Sequence, residues 1–182
     1  MTLKPAYTKG FDISTGYKEY LKLTYFDNKV EDALSYFGTW TDPNAGYANV
    51  PGTQHYSGIE AKSTVNLGKF MLSGNYTHLI KFRDESGTNL NKRAKETLNI
   101  ALDYYTENDT HIGIDAQYVG DRKEFGQDTG NYTVWNLNYT TKVIENLHAA
   151  IHAKNIFDKD YQTTAGYSTE GRAIYMDLKY SF

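Results

Sequence analysis

Large apolar residues occupy every second position over most of this chain. The cleanest run is Ile174, Met176, Leu178, Tyr180 and Phe182, with Tyr175, Asp177, Lys179 and Ser181 between them. A β-strand sends successive side chains to opposite faces, so this segment has one greasy face and one mainly polar face. Eight earlier segments read the same way. They run from about Lys9 to Tyr17, from Tyr20 through Leu21, Leu23 and Tyr25, from Ile59 to Leu67, and from Phe70 to Tyr76. The rest span Leu98 to Tyr104, Ile112 to Tyr118, Trp135 to Tyr139 and Leu147 to Ala153. The second segment is expected to continue to Trp40. No stripe of 3.6-residue period competes with this pattern. The expected fold class is therefore all-β and antiparallel, with about nine strands in one domain over residues 1–182.

Alternation also fits a soluble antiparallel sheet with one wet face. Two further features point to an up-and-down transmembrane β-barrel. Connections near Tyr17–Tyr20, Leu67–Lys69, Thr106–Asp109 and Thr141–Asn146 are short, and those near Thr41–His55, Arg83–Lys92, Asp121–Asn131 and Asp158–Gly171 are long and polar. Outer-membrane barrels have short periplasmic turns and long extracellular loops. If the last strand runs toward the periplasm, every long connection falls outside the cell. The apolar face also ends repeatedly in tyrosine, at Tyr17, Tyr25, Tyr76, Tyr104, Tyr118, Tyr139 and Tyr180. These are the positions of interfacial girdles.

Composition changes this picture little. Tyrosine is the outlier, with 17 residues against 8 Phe and 2 Trp. No run approaches the roughly 18 apolar residues of a membrane helix, but a barrel hides its apolar half in alternation. The net charge of −3 comes with no basic stripe, so nucleic acid is not an expected partner. The chain has no cysteine, which excludes disulfides and thiolate metal sites. The opening Met1-Thr2-Leu3-Lys4-Pro5 has no apolar core of the kind an export signal needs. Either the chain is a mature or partial segment, or the membrane reading fails.

Bacterial single-chain barrels have even strand numbers, and an unpaired edge is not tolerated in lipid. Nine strands therefore suggest part of a larger barrel, whereas eight or ten would permit a small closed one.

The segment Asn155-Ile156-Phe157-Asp158-Lys159-Asp160-Tyr161 is more specific. With Gly166-Tyr167, Gly171-Arg172 and the terminal aromatic strand, it resembles the end of TonB-dependent outer-membrane receptors. Within that family the likeness is greatest to cobalamin (vitamin B12) receptors. It includes Leu3-Lys4-Pro5 before the first strand and Lys92-Arg93-Ala94-Lys95 opening the fifth; siderophore receptors share the C-terminal motif. The resemblance implies a barrel of about 22 strands closed by an N-terminal plug. This chain would supply roughly the last nine, without the plug, the energy-coupling segment or the calcium-binding loops. The implied function is uptake of a scarce metal-containing ligand, cobalamin or a ferric siderophore. Implied partners are outer-membrane lipid, the barrel assembly machinery and, only through a plug, the TonB complex. The localisation implied is the bacterial outer membrane.

Asp121, Arg122, Tyr161, Tyr167 and Arg172 are candidate ligand contacts in the long loops, since Arg and aromatic side chains suit a large, partly polar ligand. The bland alternative makes Tyr167 and Arg172 organisers of the last loop and Asp121 and Arg122 a solvated rim. Tyr180 and Phe182 are the candidate assembly signal. His148 and His152, four apart on one strand, have Cα atoms about 13 Å apart and do not share a metal. Asp84 to Asn89 lacks the spacing of a calcium loop. Asp103, Asp115, Asp177, Lys154 and Lys179 are expected to face inward. No catalytic motif, cofactor or metal site is expected. A self-contained small barrel acting as pore, adhesin or scaffold is the rival reading, and a soluble β-sheet binding module is a third.

Overall fold

The computed structural model describes residues 3–38 and 41–182. In chain order the strands are β1 (Tyr7–Tyr17), β2 (Leu21–Glu31), β3 (Leu34–Phe37), β4 (Gly46–Asn49), β5 (Thr53–Leu67) and β6 (Phe70–Arg83). They continue with β7 (Ala94–Tyr105), β8 (His111–Glu124), β9 (Gln127–Asp128), β10 (Tyr132–Ile144), β11 (Leu147–Lys154) and β12 (Ala173–Tyr180). The nine long strands pair in the order β1-β2-β5-β6-β7-β8-β10-β11-β12, each antiparallel to its neighbours, with β9 adding two residues to β8. β1 and β12 are the two free edges of this sheet.

The expected nine strands are all present, and short turns alternate with long connections as the sequence predicts. Two expectations about the second segment change. β2 ends at Glu31, where Asp32 takes a positive φ of 54°, and the following residues form a separate hairpin, β3 with β4. Trp40 itself lies outside the described residues. Several strands also run further toward the long-loop end than alternation suggests. β5 begins at Thr53 and β6 reaches Arg83 across a bulge. β8 runs to Glu124, so Asp121 and Arg122 lie on a strand rather than in a loop.

Exposure runs opposite to that of a soluble sheet. Along β7, Leu98, Ile100 and Leu102 are exposed, whereas Asn99, Ala101 and Asp103 between them are half-buried. The polar face is the sheltered one and the apolar face is open. That is the arrangement of a barrel wall whose outside meets lipid. The register ties the apolar face together from strand to strand. Phe70 lies opposite Tyr104, Tyr104 opposite Ile112, Ile112 opposite Tyr139, and Tyr139 opposite Ile151. This row lies near the short turns, with the Phe70 and Tyr104 rings 4.8 Å apart. A second row, Tyr76 opposite Leu98 and Leu98 opposite Tyr118, lies nearer the long connections. The two rows sit where the interfacial girdles were expected.

The sheltered face carries the polar side chains. His111 meets Asp103 at 2.6 Å, Asp115 accepts from Asn136 (2.7 Å) and Asn138 (3.0 Å), and His152 contacts Asn138 at 2.8 Å. Each of these polar groups is thereby paired at the cross-strand positions the register provides. Only a few apolar residues are buried, and Val119, Tyr132 and Val134 form a small cluster with Ala94 and Tyr161 against it. This cluster sits at the long-loop end, beneath the connection between β11 and β12.

Candidate ligand site at the long-loop rim

Two residues give the rim its shape. Asn155 follows β11 and is buried, with a positive φ of 49° that Asn adopts more readily than most residues. Its side-chain oxygen accepts from the Lys159 amide at 2.8 Å, and its Nδ2 donates to the Lys159 carbonyl at 2.9 Å and the Glu170 carbonyl at 3.4 Å. Its own amide donates to Asn136 Oδ1 at 3.0 Å. One side chain therefore closes both ends of the long last connection. Asp158 adds a second closure, accepting from the Arg172 amide at 2.8 Å.

Glu124 is the other organiser. It ends β8, is buried, and holds Lys92 Nζ at 2.8 Å with one oxygen. The other oxygen accepts from the Ala165 amide at 2.9 Å and lies 3.8 Å from Arg122 Nη2. Arg122 in turn donates to Thr129 Oγ1 at 3.0 Å and to the Thr163 carbonyl at 2.7 Å. Lys92 belongs to the β6–β7 connection, Thr129 to the β8–β10 connection, and Thr163 and Ala165 to the last. Three long connections are stapled together by one carboxylate and one guanidinium. The Lys92 ammonium and the Ala165 amide hold the Glu124 carboxyl below its ordinary pKa, because both stabilise the charged form.

The predicted contacts separate into two kinds. Arg122 is consumed by the staple, and Tyr161 packs its ring 4.6 Å from Tyr132, over the small core. Asp121, Tyr167 and Arg172 present exposed side chains. Tyr167 projects from a turn whose Gly166 has a φ of 81°. Asp121 lines a cleft of about 260 Å³ together with Phe82, Leu90, Arg93 and Lys123. Tyr161 borders a second cleft with Tyr132, Asp128, Lys159 and Asp160. Tyr180 lies opposite Leu147 at the short-turn end, with the Phe182 ring 5.2 Å away edge-on. Glu124 and Asn155 as organisers were not read from sequence. Asn155 was visible only as the first letter of a family motif, and nothing in Lys123-Glu124-Phe125 signals burial.

Among the described residues no group of three or more His, Asp or Glu side chains is arranged to hold a metal ion. Among the described residues no helix is long and apolar enough to cross a membrane, which says nothing of strands.

Comparison with solved structures shows the same fold. The copper transporter OprC superposes with a TM-score of 0.79 at 17% identity, covering 100% of this chain and 32% of OprC. The siderophore receptor PirA from Acinetobacter baumannii gives 0.75 at 20% identity, covering 97% of this chain and 32% of PirA. The pyoverdine receptor FpvA from Pseudomonas aeruginosa gives 0.75 at 21% identity, covering 99% of this chain and 30% of FpvA. The chain thus spans about a third of the length of these receptors. Residues 2–156 match the family described as TonB dependent receptor-like, beta-barrel. The sheltered polar face, the open apolar face, the alternating connections and this match agree, and the chain belongs to the TonB-dependent receptor β-barrel family of the bacterial outer membrane.

Proposed function

We propose that this chain is a nine-stranded run in the wall of a larger TonB-dependent barrel that imports a metal chelate, a ferric siderophore being the class best supported. The observation that carries this is the cleft at the rim. Arg93 and Lys123 line it together with Asp121 and the buried Phe82, and the Arg93 guanidinium lies over the Tyr56 ring, 5.8 Å from its centroid. Cationic and aromatic groups together suit an anionic aromatic chelate. PirA is named a siderophore receptor, and FpvA a pyoverdine receptor bound to pyoverdine.

In this reading Arg93, Lys123, Tyr167 and Arg172 contact the ligand, and Asp121, the acidic group of the cleft, sets where its anionic groups can sit. Arg122 and Tyr161 set the position of the loops that carry them. Coupling to TonB requires a plug that would fill the sheltered polar face, and Tyr180 and Phe182 serve barrel insertion.

The cobalamin reading rests on residue likeness at Leu3-Lys4-Pro5, at Lys92-Arg93-Ala94-Lys95 and in the spacing of Gly166-Tyr167 and Gly171-Arg172. Two of those residues have local jobs: Lys92 pairs with Glu124, and a side chain at Gly171 would meet Asp158 Oδ1 at 2.9 Å. Their presence is accounted for without a corrinoid.

The test is growth of the bacterium with and without the gene, under iron limitation with ferric catecholate and hydroxamate siderophores, and separately under cobalamin dependence. Loss of growth on one ferric siderophore supports the proposal. Loss on cobalamin alone replaces it with the corrinoid reading.

A further inference from the structure

On the sheltered face one chain of hydrogen bonds runs from β8 across β10 to β11 and decides where each hydrogen sits. The Asn155 amide donates to Asn136 Oδ1 at 3.0 Å, so the amino end of Asn136 points the other way, to Asp115 Oδ2 at 2.7 Å. Asn138 Nδ2 donates to the second oxygen of Asp115 at 3.0 Å. A carboxylate only accepts, so this contact leaves the Asn138 amide with its oxygen turned away from Asp115. That oxygen lies 2.8 Å from His152 Nδ1. An amide oxygen also only accepts, so the network assigns the hydrogen of this contact to Nδ1. The neutral ring therefore carries its lone pair on Nε2.

Nε2 faces Asp177 Oδ2 at 3.7 Å. His152 lies opposite Tyr175 and Asp177 opposite Ala150, so the two are diagonal neighbours across β11 and β12. Both facing atoms offer electron pairs, and their separation is too long for a hydrogen bond. Two lone-pair donors aimed at each other call for a cation between them. A divalent metal ion fits the gap. Bonds of about 2.0 to 2.2 Å to nitrogen and oxygen bring these two atoms onto one ion at an angle of about 120°, close to tetrahedral. Imidazole with carboxylate suits ions such as Zn²⁺, Cu²⁺ and Ni²⁺ rather than Mg²⁺ or Ca²⁺. Asn138 stands where a metal-bound histidine usually has an orienting acceptor, on the other ring nitrogen.

The surroundings leave the place open to such an ion. The other charged or protonatable groups of this face nearby are His148 and Lys154 on β11, Lys142 on β10 and Lys179 on β12, all at alternate positions from His152, Asn138 or Asp177. None of them pairs with Asp177, whose one ion-pair contact among the described residues is His152, and Lys154 lies over the Tyr175 ring at 4.9 Å. The His152 side chain is 35% exposed and that of Asp177 71%, so further coordination positions open toward water. We infer that His152 and Asp177 form a divalent-metal site on the sheltered face, with Asn138 as its positioning residue. The bound ion clips the edge strand β12 to β11 and keeps positions free for water or another donor. This site stands on the hydrogen-bond chain and the register, and does not depend on which ligand is imported.

The test uses the untagged protein purified from outer membranes in detergent and stripped with a chelator. Zn²⁺ is the probe for affinity, by equilibrium dialysis, and Cu²⁺ the probe for ligand type, by electron paramagnetic resonance. Heat-modifiable gel migration checks that each variant is folded. His152→Gln and Asp177→Asn should each weaken Zn²⁺ binding at least about tenfold, and Asn138→Ala, which keeps both ligands, by a similar factor. Bound Cu²⁺ in wild type should show splitting from an imidazole nitrogen that His152→Gln removes. Wild-type affinity should fall with pH, because a proton competes with the metal for Nε2, an arm that needs no variant. Excess Ca²⁺ should not displace Zn²⁺. Equal Zn²⁺ affinity in wild type and His152→Gln would overturn the proposal, as would nitrogen splitting that survives in that variant. So would wild-type binding seen only above millimolar Zn²⁺, which would leave a proton as the cation between His152 and Asp177.

Discussion

Glu124 and Lys92 meet at 2.8 Å across two connections that are distant in sequence, the carboxylate buried and the ammonium half in water. The second oxygen of the same carboxylate takes the Ala165 amide at 2.9 Å. Removing the carboxylate leaves the part-buried Ala165 amide without its acceptor and takes a counter-charge from Arg122, which keeps its bonds to Thr129 and the Thr163 carbonyl. Glu124→Ala should therefore loosen all three connections at once, at a cost of about 2 kcal/mol in loop stability. That is the range for hydrogen bonds to charged groups, reduced by the exposure of Lys92. Limited proteolysis would show new cuts near Asn91 and Thr163 while the strands stay protected. Cuts confined to one connection would mean that the staple does not couple them.

The same contact sets a pH window. The Glu124 carboxyl is held below its ordinary value by Lys92 first and Ala165 second. A group whose folded pKa is depressed contributes stability above its unfolded pKa, and that contribution is lost as pH falls through the folded one. The staple should contribute fully from neutral pH down to the ordinary carboxylate range, about 4.3, weaken below it, and open as pH falls through the lower folded pKa. The Ala165 amide resonance followed by NMR against pH would report this. In Glu124→Gln the transition at Ala165 should vanish.

Asn155 does two jobs that substitution can separate. Its side chain joins Lys159 and Glu170, and its backbone adopts φ 49°. Asn155→Gly keeps the backbone easy and loses the hydrogen bonds, at about 2 kcal/mol. Asn155→Ala loses them and adds strain of about 1 kcal/mol. Protease resistance of the last connection should fall from wild type to the Gly variant to the Ala variant. Equal resistance in all three would mean that Asp158 and its Arg172 contact suffice to hold the loop.

Much of the wall was legible from sequence, and what was missed has a physical pattern. Alternation reveals a strand only where its two faces meet different media. Between Leu21 and Tyr25 one face is apolar and one polar, and the strand is plain. Past Asp27 both faces are polar, so the upper half of β2, the start of β5 at Thr53 and the end of β8 at Glu124 give no such signal. This is why Asp121 and Arg122 read as loop. The hairpin of β3 and β4 is too short for a period to show. At the rim the residue types named as contacts were sensible, but type does not reveal engagement. Arg122 spends its guanidinium inside the protein, whereas Arg93, not named as a contact, lines the cleft with Asp121.

Gly58 shows how closely the wall is packed where β5 crosses the bulge of β6. A Cβ there would lie 2.5 Å from the His78 carbonyl oxygen and 2.8 Å from the Phe26 ring. The carbonyl belongs to backbone and has little room to retreat. Gly58→Ala should cost about 1 to 3 kcal/mol, the range for overpacking a tight site. Phe26→Leu in the same chain should restore part of it by clearing the ring. Equilibrium unfolding of the folded barrel in urea would measure both. No loss in Gly58→Ala would mean that the bulge at Ser57 and Gly58 shifts freely to admit a methyl group.

The assignment of faces is open to the most direct test. Ile100 and Asn99 are neighbours in β7, paired with Ala116 and Gln117 across the ladder, and they point to opposite sides. Ile100 is exposed although apolar, and Asn99 is half-buried although polar. If the apolar side meets hydrocarbon, Ile100→Arg near mid-membrane should destabilise the folded barrel in lipid vesicles by about 2 to 4 kcal/mol. Asn99→Arg, on the wet side, should change stability by less than about 1 kcal/mol, since a charge there keeps its water. In a soluble sheet the order differs: an arginine at an exposed position is harmless and one at a half-buried position is not. Urea titrations of the two variants in vesicles decide between these. A larger loss in Asn99→Arg than in Ile100→Arg would exchange the two faces and with them the whole membrane orientation of the sheet.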